Sequence, residues 1–132
     1  MASRKIEDLI PEMQVLAKAF AEKMVDAGIK FCFTCTYRSQ DEQDALYAIG
    51  RTMPGSKVTW APISKHTSRT AFDIAILKDG KPCWDIKVNV NANDVPDYEE
   101  AGIIGESVGL VWGGRFSHAD LPHYQLPEQK ED

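Results

Sequence analysis

Ala71-Phe72-Asp73-Ile74-Ala75-Ile76-Leu77, followed at once by Lys78-Asp79-Gly80-Lys81-Pro82-Cys83-Trp84, is the stretch that decides the fold. A short apolar run bounded by turn residues has the length of a strand rather than of a helix. Asp79-Gly80 is a hairpin signal, because tight two-residue turns need left-handed backbone that glycine and aspartate tolerate. Lys81 to Trp84 then returns as the partner strand. The chain therefore holds antiparallel sheet, and a carboxylate, Asp73, stands inside its apolar run.

Upstream, Met13, Leu16, Ala17, Phe20, Met24 and Ala27 recur at steps of three and four, which predicts a helix over 11–27. Pro11 suits its first turn and Gly28 its left-handed stop. Over 30–37, Phe31, Phe33, Cys35 and Tyr37 alternate with Thr34 and Thr36, a strand pattern. Ser39 with Glu42 three residues later is a capping box, opening a second helix that ends near Gly50. From Arg51 to Ser64 periodicity is lost, and Pro54, Gly55 and Pro62 mark a long loop of the kind that more often carries function than not. Downstream, 97–108 forms a third helix stopped by Gly109. Leu110 to Trp112 and Tyr124 to Leu126 are short closing strands around Gly113-Gly114. The expected class is α+β, a small antiparallel sheet with flanking helices, in one domain over 1–132.

Composition narrows the functional classes. The chain has 132 residues and a net charge of -5, with its cations scattered. No basic stripe is present to displace phosphate counterions, so nucleic acid is excluded as a partner. No stretch approaches the roughly 20 apolar residues that span a bilayer. Met1 to Lys5 leads directly into an amphipathic pattern without the apolar core of a secretory signal. The expectation is a monomer made in the cytoplasm, with no membrane partner. Cys32, Cys35 and Cys83 sit in apolar runs; the 32–35 spacing invites a redox or zinc reading, but no second pair completes a zinc ribbon, and core packing is expected.

Chemistry gathers around two of the three histidines. Ser64-Lys65-His66 leads to Asp73 seven residues later, and Asp120-Leu121-Pro122-His123 lies near the other end. Catalytic zinc takes three nitrogen or oxygen ligands and keeps one position open, a demand that His66, Asp73 and His123 could meet. His123 is expected just before a strand. Hydrolysis also needs a carboxylate to accept the proton of the attacking water and return it to the leaving amine, and Asp120 is the candidate. Pro122 restricts the backbone between them and favours an extended turn. Spacing alone leaves a plain alternative open, in which the imidazoles are ordinary and the aspartates cap turns.

Ser64-x-His66-x-x-x-x-Ala71-x-Asp73, followed by Asp120-x-x-His123-Tyr124-Gln125-Leu126, resembles the zinc D-Ala-D-Ala and L-alanyl-D-glutamate peptidases of bacteria and their phages. The likeness is greatest to the L-alanyl-D-glutamate endopeptidase branch, which includes phage endolysins. Thr36-Tyr37-Arg38-Ser39 with Glu42-Gln43, Leu46-Tyr47-Ala48-x-Gly50-Arg51-Thr52, Pro54-Gly55, Val58-Thr59 and Trp112-Gly113-Gly114 continue it in register. The resemblance spans roughly residues 9 to 126. It implies a hedgehog/DD-peptidase-like fold, one Zn²⁺ held by His66, Asp73 and His123, and Asp120 as general base. It further implies that Arg38, Gln43 and Ser64 line the cleft for a peptidoglycan stem peptide, with Arg38 holding a carboxylate or polarising the scissile carbonyl. The enzyme would act on the cell wall after release, aided by a holin-like protein. A D-Ala-D-Ala carboxypeptidase or dipeptidase on the same scaffold, and a non-catalytic zinc-stabilised binding module, are the rival readings.

Arg69 departs from the pattern, since relatives usually carry glycine there. Arginine at this place could obstruct the cleft or add a contact elsewhere. His118 divides between a solvent-facing loop imidazole and a donor in the site. Trp112, Leu46 and Tyr47 read as core, while Trp60 is the candidate for a cleft wall.

Overall fold

The computed structural model describes residues 2–59 and 64–127. Trp60 and Pro62 lie outside them. Helix α1 runs over Pro11–Asp26, β1 over Phe31–Cys35, α2 over Gln40–Ala48, β2 over Ala71–Lys78 and β3 over Lys81–Cys83. Helix α3 covers Asp97–Ser107, followed by β4, Val111–Trp112, and β5, His123–Gln125, with short 3₁₀ helices at Ile6–Asp8 and Gly113–Arg115.

β2 organises the sheet. Its neighbours are β1 on one side and β5 and β3 on the other, in the order β1-β2-β5-β4 with β3 paired to β2, all antiparallel. Phe72, Ile74 and Ile76, spaced by two, are fully buried. They face Phe20 and Met24 of α1, and Phe20 meets both Phe72 and Tyr124 with ring centroids 5.4 and 4.9 Å apart. Burying each such side chain contributes about 1.5–3 kcal/mol, so this face anchors β2. Because side chains alternate along a strand, Asp73 must project from the opposite face.

Pairing places the chemistry. Asp73 lies opposite His123 of β5 in register, and opposite Cys35 of β1 just past a bulge between Phe33 and Cys35. Directly opposed antiparallel residues share a face, so Asp73 and His123 point the same way. His123 is therefore the first residue of a strand, not the residue before one. Its pairing with Asp73 extends β5 by that place.

The helix boundaries follow the sequence closely. Ser39 accepts from the Glu42 amide at 3.1 Å while Glu42 accepts from the Ser39 amide at 3.1 Å, the reciprocal capping box in full. Gly28 takes a φ of 73° just past α1, the left-handed stop its position suggested. α2 ends at Ala48, two residues before Gly50, because the amides of Arg51, Thr52 and Met53 all turn back onto the Ala48 carbonyl. Trp112 is buried against α3 as expected, and a Cβ on Gly102 would fall 2.3 Å from its ring.

Candidate active site

His66 sits in a tight turn before β2. Its amide donates to the Ser64 hydroxyl at 3.1 Å, and its carbonyl accepts the amides of Arg69 at 3.2 Å and Arg38 at 3.4 Å. This turn delivers the imidazole to the Asp73 face, where it is buried. His66 Nε2 lies 3.2 Å from Asp73 Oδ1, and His123 Nδ1 lies 3.1 Å from the same oxygen. The two rings meet edge to face with centroids 5.2 Å apart.

Two imidazoles converging on one carboxylate oxygen set the electrostatics. Burial alone would raise the Asp73 carboxyl, but hydrogen bonds from His123 and His66 overturn this and hold it well below the usual carboxylate range. Burial pulls the other way on His123, yet the Asp73 carboxylate raises it above the ordinary histidine value. Such a cluster gains from positive charge at its centre, delivered either by protons or by a cation. The donor set suits a zinc-class ion: two nitrogens and one oxygen, all within 4.8 Å of one another, filling three of four tetrahedral positions. His66 Nδ1 is buried without a partner among the described residues. On the other ring, His123 Nε2 meets Gln125 Oε1 at 2.8 Å, an outer contact that fixes the tautomer leaving Nδ1 available as a ligand. Gln125 was not singled out from sequence. Its signal was there: on a strand, residue i+2 stands on the same face as the proposed ligand.

These residues open into a cleft of about 850 Å³, lined among others by Arg38, Ser64, Asp120 and Phe116. Asp120 occupies a turn closed by the His123 amide on the Asp120 carbonyl at 3.1 Å, tighter than the extended turn expected from Pro122. The Asp120 amide donates to the Gly113 carbonyl at 2.9 Å. Desolvation, then the nearby Asp73 charge, raises the Asp120 carboxyl above its ordinary value, which suits a group that must take up and return a proton. Gly113 explains the Trp112-Gly113-Gly114 run: a Cβ there would fall 2.4 Å from the Asp120 carbonyl oxygen and 2.9 Å from His123 Cβ.

Arg38 and Ser64 stand in the cleft wall as expected, although the Ser64 hydroxyl is engaged by the His66 amide. Gln43 is placed differently. It is fully buried behind Arg38, accepting from Arg38 Nη1 at 2.8 Å and donating to Thr59 Oγ1 at 3.4 Å. Its position fits holding Arg38 rather than lining the wall. His118 and Leu46 do line the cleft, so Leu46, expected in the core, belongs to the site wall. Tyr47 instead lies under the Arg51 guanidinium, 3.8 Å from its ring centroid.

Arg69 has left-handed backbone, φ 63°, a conformation that favours glycine. Its side chain turns away from the cleft. The guanidinium stacks 4.0 Å over Tyr37 and donates to the Asp8 carbonyl at 3.1 Å, tying the N-terminal segment to the sheet. Cys35 is buried, and burial pushes its thiol up to about 11, so it is protonated at neutral pH and unsuited to redox or ligand duty. Cys32, Cys35 and Cys83 are all free thiols.

Comparison with known proteins relates the chain to others by family, sequence and fold. The profile of the D-alanyl-D-alanine carboxypeptidase family matches residues 57–126. The peptidoglycan L-alanyl-D-glutamate endopeptidase CwlK of Bacillus subtilis (strain 168) is 36% identical over 123 residues, covering 90% of this chain and 74% of that protein. Among solved structures, the L-Ala D-Glu endopeptidase ChiX of Serratia marcescens superposes with a TM-score of 0.72 at 16% identity, over 96% of this chain and 89% of that one. The LD-carboxypeptidase LdcB superposes with a TM-score of 0.66 at 15% identity, over 89% of this chain and 58% of that one. At these identities the two structures speak for the fold.

Proposed function

Because the chain belongs to the D-alanyl-D-alanine carboxypeptidase family, we propose that it is a metallopeptidase hydrolysing the L-alanyl-D-glutamate bond of peptidoglycan stem peptides. The observation that carries this reading is the convergence of His66 Nε2, Asp73 Oδ1 and His123 Nδ1 within one cleft that also holds Asp120 and Arg38. The similarity to a curated L-alanyl-D-glutamate endopeptidase supports the choice of bond.

His66, Asp73 and His123 would hold one zinc ion, which when bound supplies Lewis-acid polarisation of the scissile carbonyl. Asp120 takes the proton of the attacking water on its carboxylate and passes it to the departing amine, so it finishes the cycle ionised as it began. Arg38 offers a planar fork of donors to a substrate carboxylate. Its guanidinium is already braced by Gln43, so less freedom is lost on binding. Phe116, its ring centroid 5.8 Å from that of His123, gives the cleft an apolar flank beside the reacting groups. An endolysin-like setting, with a membrane-permeabilising partner giving access to the wall, is part of the same proposal and is supported by the sequence resemblance.

The test is mass spectrometry of muropeptides digested with the zinc-loaded protein. New N-terminal D-glutamate supports the reading, whereas released terminal D-alanine transfers the chain to the carboxypeptidase alternative. Asp120→Ala is expected to bind zinc fully and to release neither product. Full activity in that variant would remove Asp120 from the mechanism.

A further inference from the structure

The segment between β3 and α3 carries a second pattern, outside the cleft. Asn89-x-Asn91-x-Asn93-x-Val95-x-Asp97-x-x-Glu100 has oxygen-bearing side chains at places one, three, five, nine and twelve of a twelve-residue loop that runs into a helix. That is the spacing of the EF-hand calcium loop, whose seventh place contributes a backbone carbonyl, here that of Val95. The pattern departs at its sixth place, where Asp94 stands for the usual glycine. The chain makes its left-handed turn two residues earlier, at Ala92 with φ 54°.

Spacing alone does not make a site. The independent observation is Asp97. It is fully buried, and its Oδ2 accepts the Val90 amide at 2.7 Å, which sets the carboxylate inside the loop. Its Oδ1 is also buried and has no hydrogen-bond partner among the described residues. Asn91 Oδ1, at the third place of the same loop, is likewise buried and unpartnered. A carboxylate oxygen left so is expensive unless a cation meets it. Glu100 accepts from the side-chain amides of both Asn91 and Asn93, at 3.1 and 2.5 Å, so the third, fifth and twelfth places are already gathered.

We propose that this loop is a calcium site, held by Asn89, Asn91, Asn93, the Val95 carbonyl, Asp97 and Glu100. Hard oxygen donors with two carboxylates neutralise a divalent cation, and the oxygen-only set is unlike the nitrogen-rich zinc cluster. Three neutral asparagines in place of aspartates make the affinity weak, on the order of 10⁻⁴ to 10⁻³ M, the range of extracellular modules. Asn91 also donates to the Ala27 carbonyl at the end of α1, so an occupied loop clamps α1 to α3.

The experiment is calorimetric titration of the zinc-saturated full chain with CaCl₂ and, separately, MgCl₂, with melting curves at each endpoint. Saturating zinc keeps calcium out of the histidine cluster. The expected result is one calcium per chain, magnesium at least about tenfold weaker, and a rise in Tm of about 5 °C at roughly twentyfold excess over Kd. Glu100→Gln should weaken calcium at least about tenfold, and Asn89→Asp, which adds a ligand charge at an exposed position, should tighten it about tenfold. A gain of affinity cannot arise from misfolding. No saturable calcium binding up to about ten times the weakest expected Kd, or affinities unchanged in both variants, would overturn the proposal.

Discussion

Replacing Gly113 by alanine probes the site without removing any reacting group. An added Cβ would lie 2.4 Å from the Asp120 carbonyl oxygen and 2.9 Å from His123 Cβ, both rigid points. Ordinary contact for such atoms begins near 3.5 Å, so the Asp120–His123 turn must shift by about 1 Å. Overpacking of this kind costs about 1–3 kcal/mol, a Tm loss of several degrees for a chain of this size. The same 1 Å moves the proposed general base and a proposed metal ligand together, and misplacement on that scale reduces turnover by about 10²-fold. Gly80→Ala is the control for the clash: nothing lies within 4 Å of the new Cβ, and only its φ of 76° penalises alanine. It should lose about 1–2 kcal/mol and keep its kcat/KM. The assay is amine release from purified sacculi alongside urea unfolding, with zinc content measured on each protein. If Gly113→Ala retained wild-type kcat/KM while its stability fell, the turn would not be positioning the chemistry, and the reasoning would fail.

Arg69→Ala should be less stable than Arg69→Gly by about 1 kcal/mol in urea unfolding, because only glycine relieves the φ of 63°, and both should keep activity since the side chain faces away from the cleft. Gln43→Leu removes the acceptor that holds Arg38 Nη1, and kcat/KM should fall about tenfold with zinc content unchanged; Gln43→Glu, which keeps an acceptor oxygen, should recover part of the loss. For the metal-free protein, the raised His123 contributes stability that is full below about pH 6.5 and is lost as pH climbs through its higher folded value. The depressed Asp73 contributes stability present above about pH 4 and lost only in stronger acid. Chelated protein should therefore melt at a higher temperature at pH 6 than at pH 8.5, whereas the zinc-loaded protein should show the reverse, since ligation requires neutral imidazole. Equal melting temperatures across that interval in the chelated protein would contradict the His123–Asp73 pairing.

Much of this was legible in the chain because its signals are local. The Ser39–Glu42 box, the Pro11 and Gly28 ends of α1, and the Asp79-Gly80 hairpin each depend on residues a few places apart, and each was found where expected. The proposed ligands could be picked out because the chain has only three histidines, and two of them stand at motif spacing from an aspartate. What was hidden depends on pairing over distance. The register that sets Asp73 opposite His123 joins residues 50 places apart, and no local pattern encodes it. The same holds for Gln43, whose helix pattern said nothing of Arg38 beside it, and for Arg69, whose direction is decided by Tyr37 and Asp8. The loop over 85–96 lacks hydrophobic period, and its only regular signal is the spacing of Asn89, Asn91 and Asn93.

The most direct test is a crystal structure of the zinc-loaded protein with anomalous data collected at the zinc edge. One peak is expected, about 2.0–2.2 Å from each of His66 Nε2, Asp73 Oδ1 and His123 Nδ1, inside the cleft that holds Asp120 and Arg38. A well-occupied peak elsewhere, with those three side chains still bonded only to one another, would contradict the account.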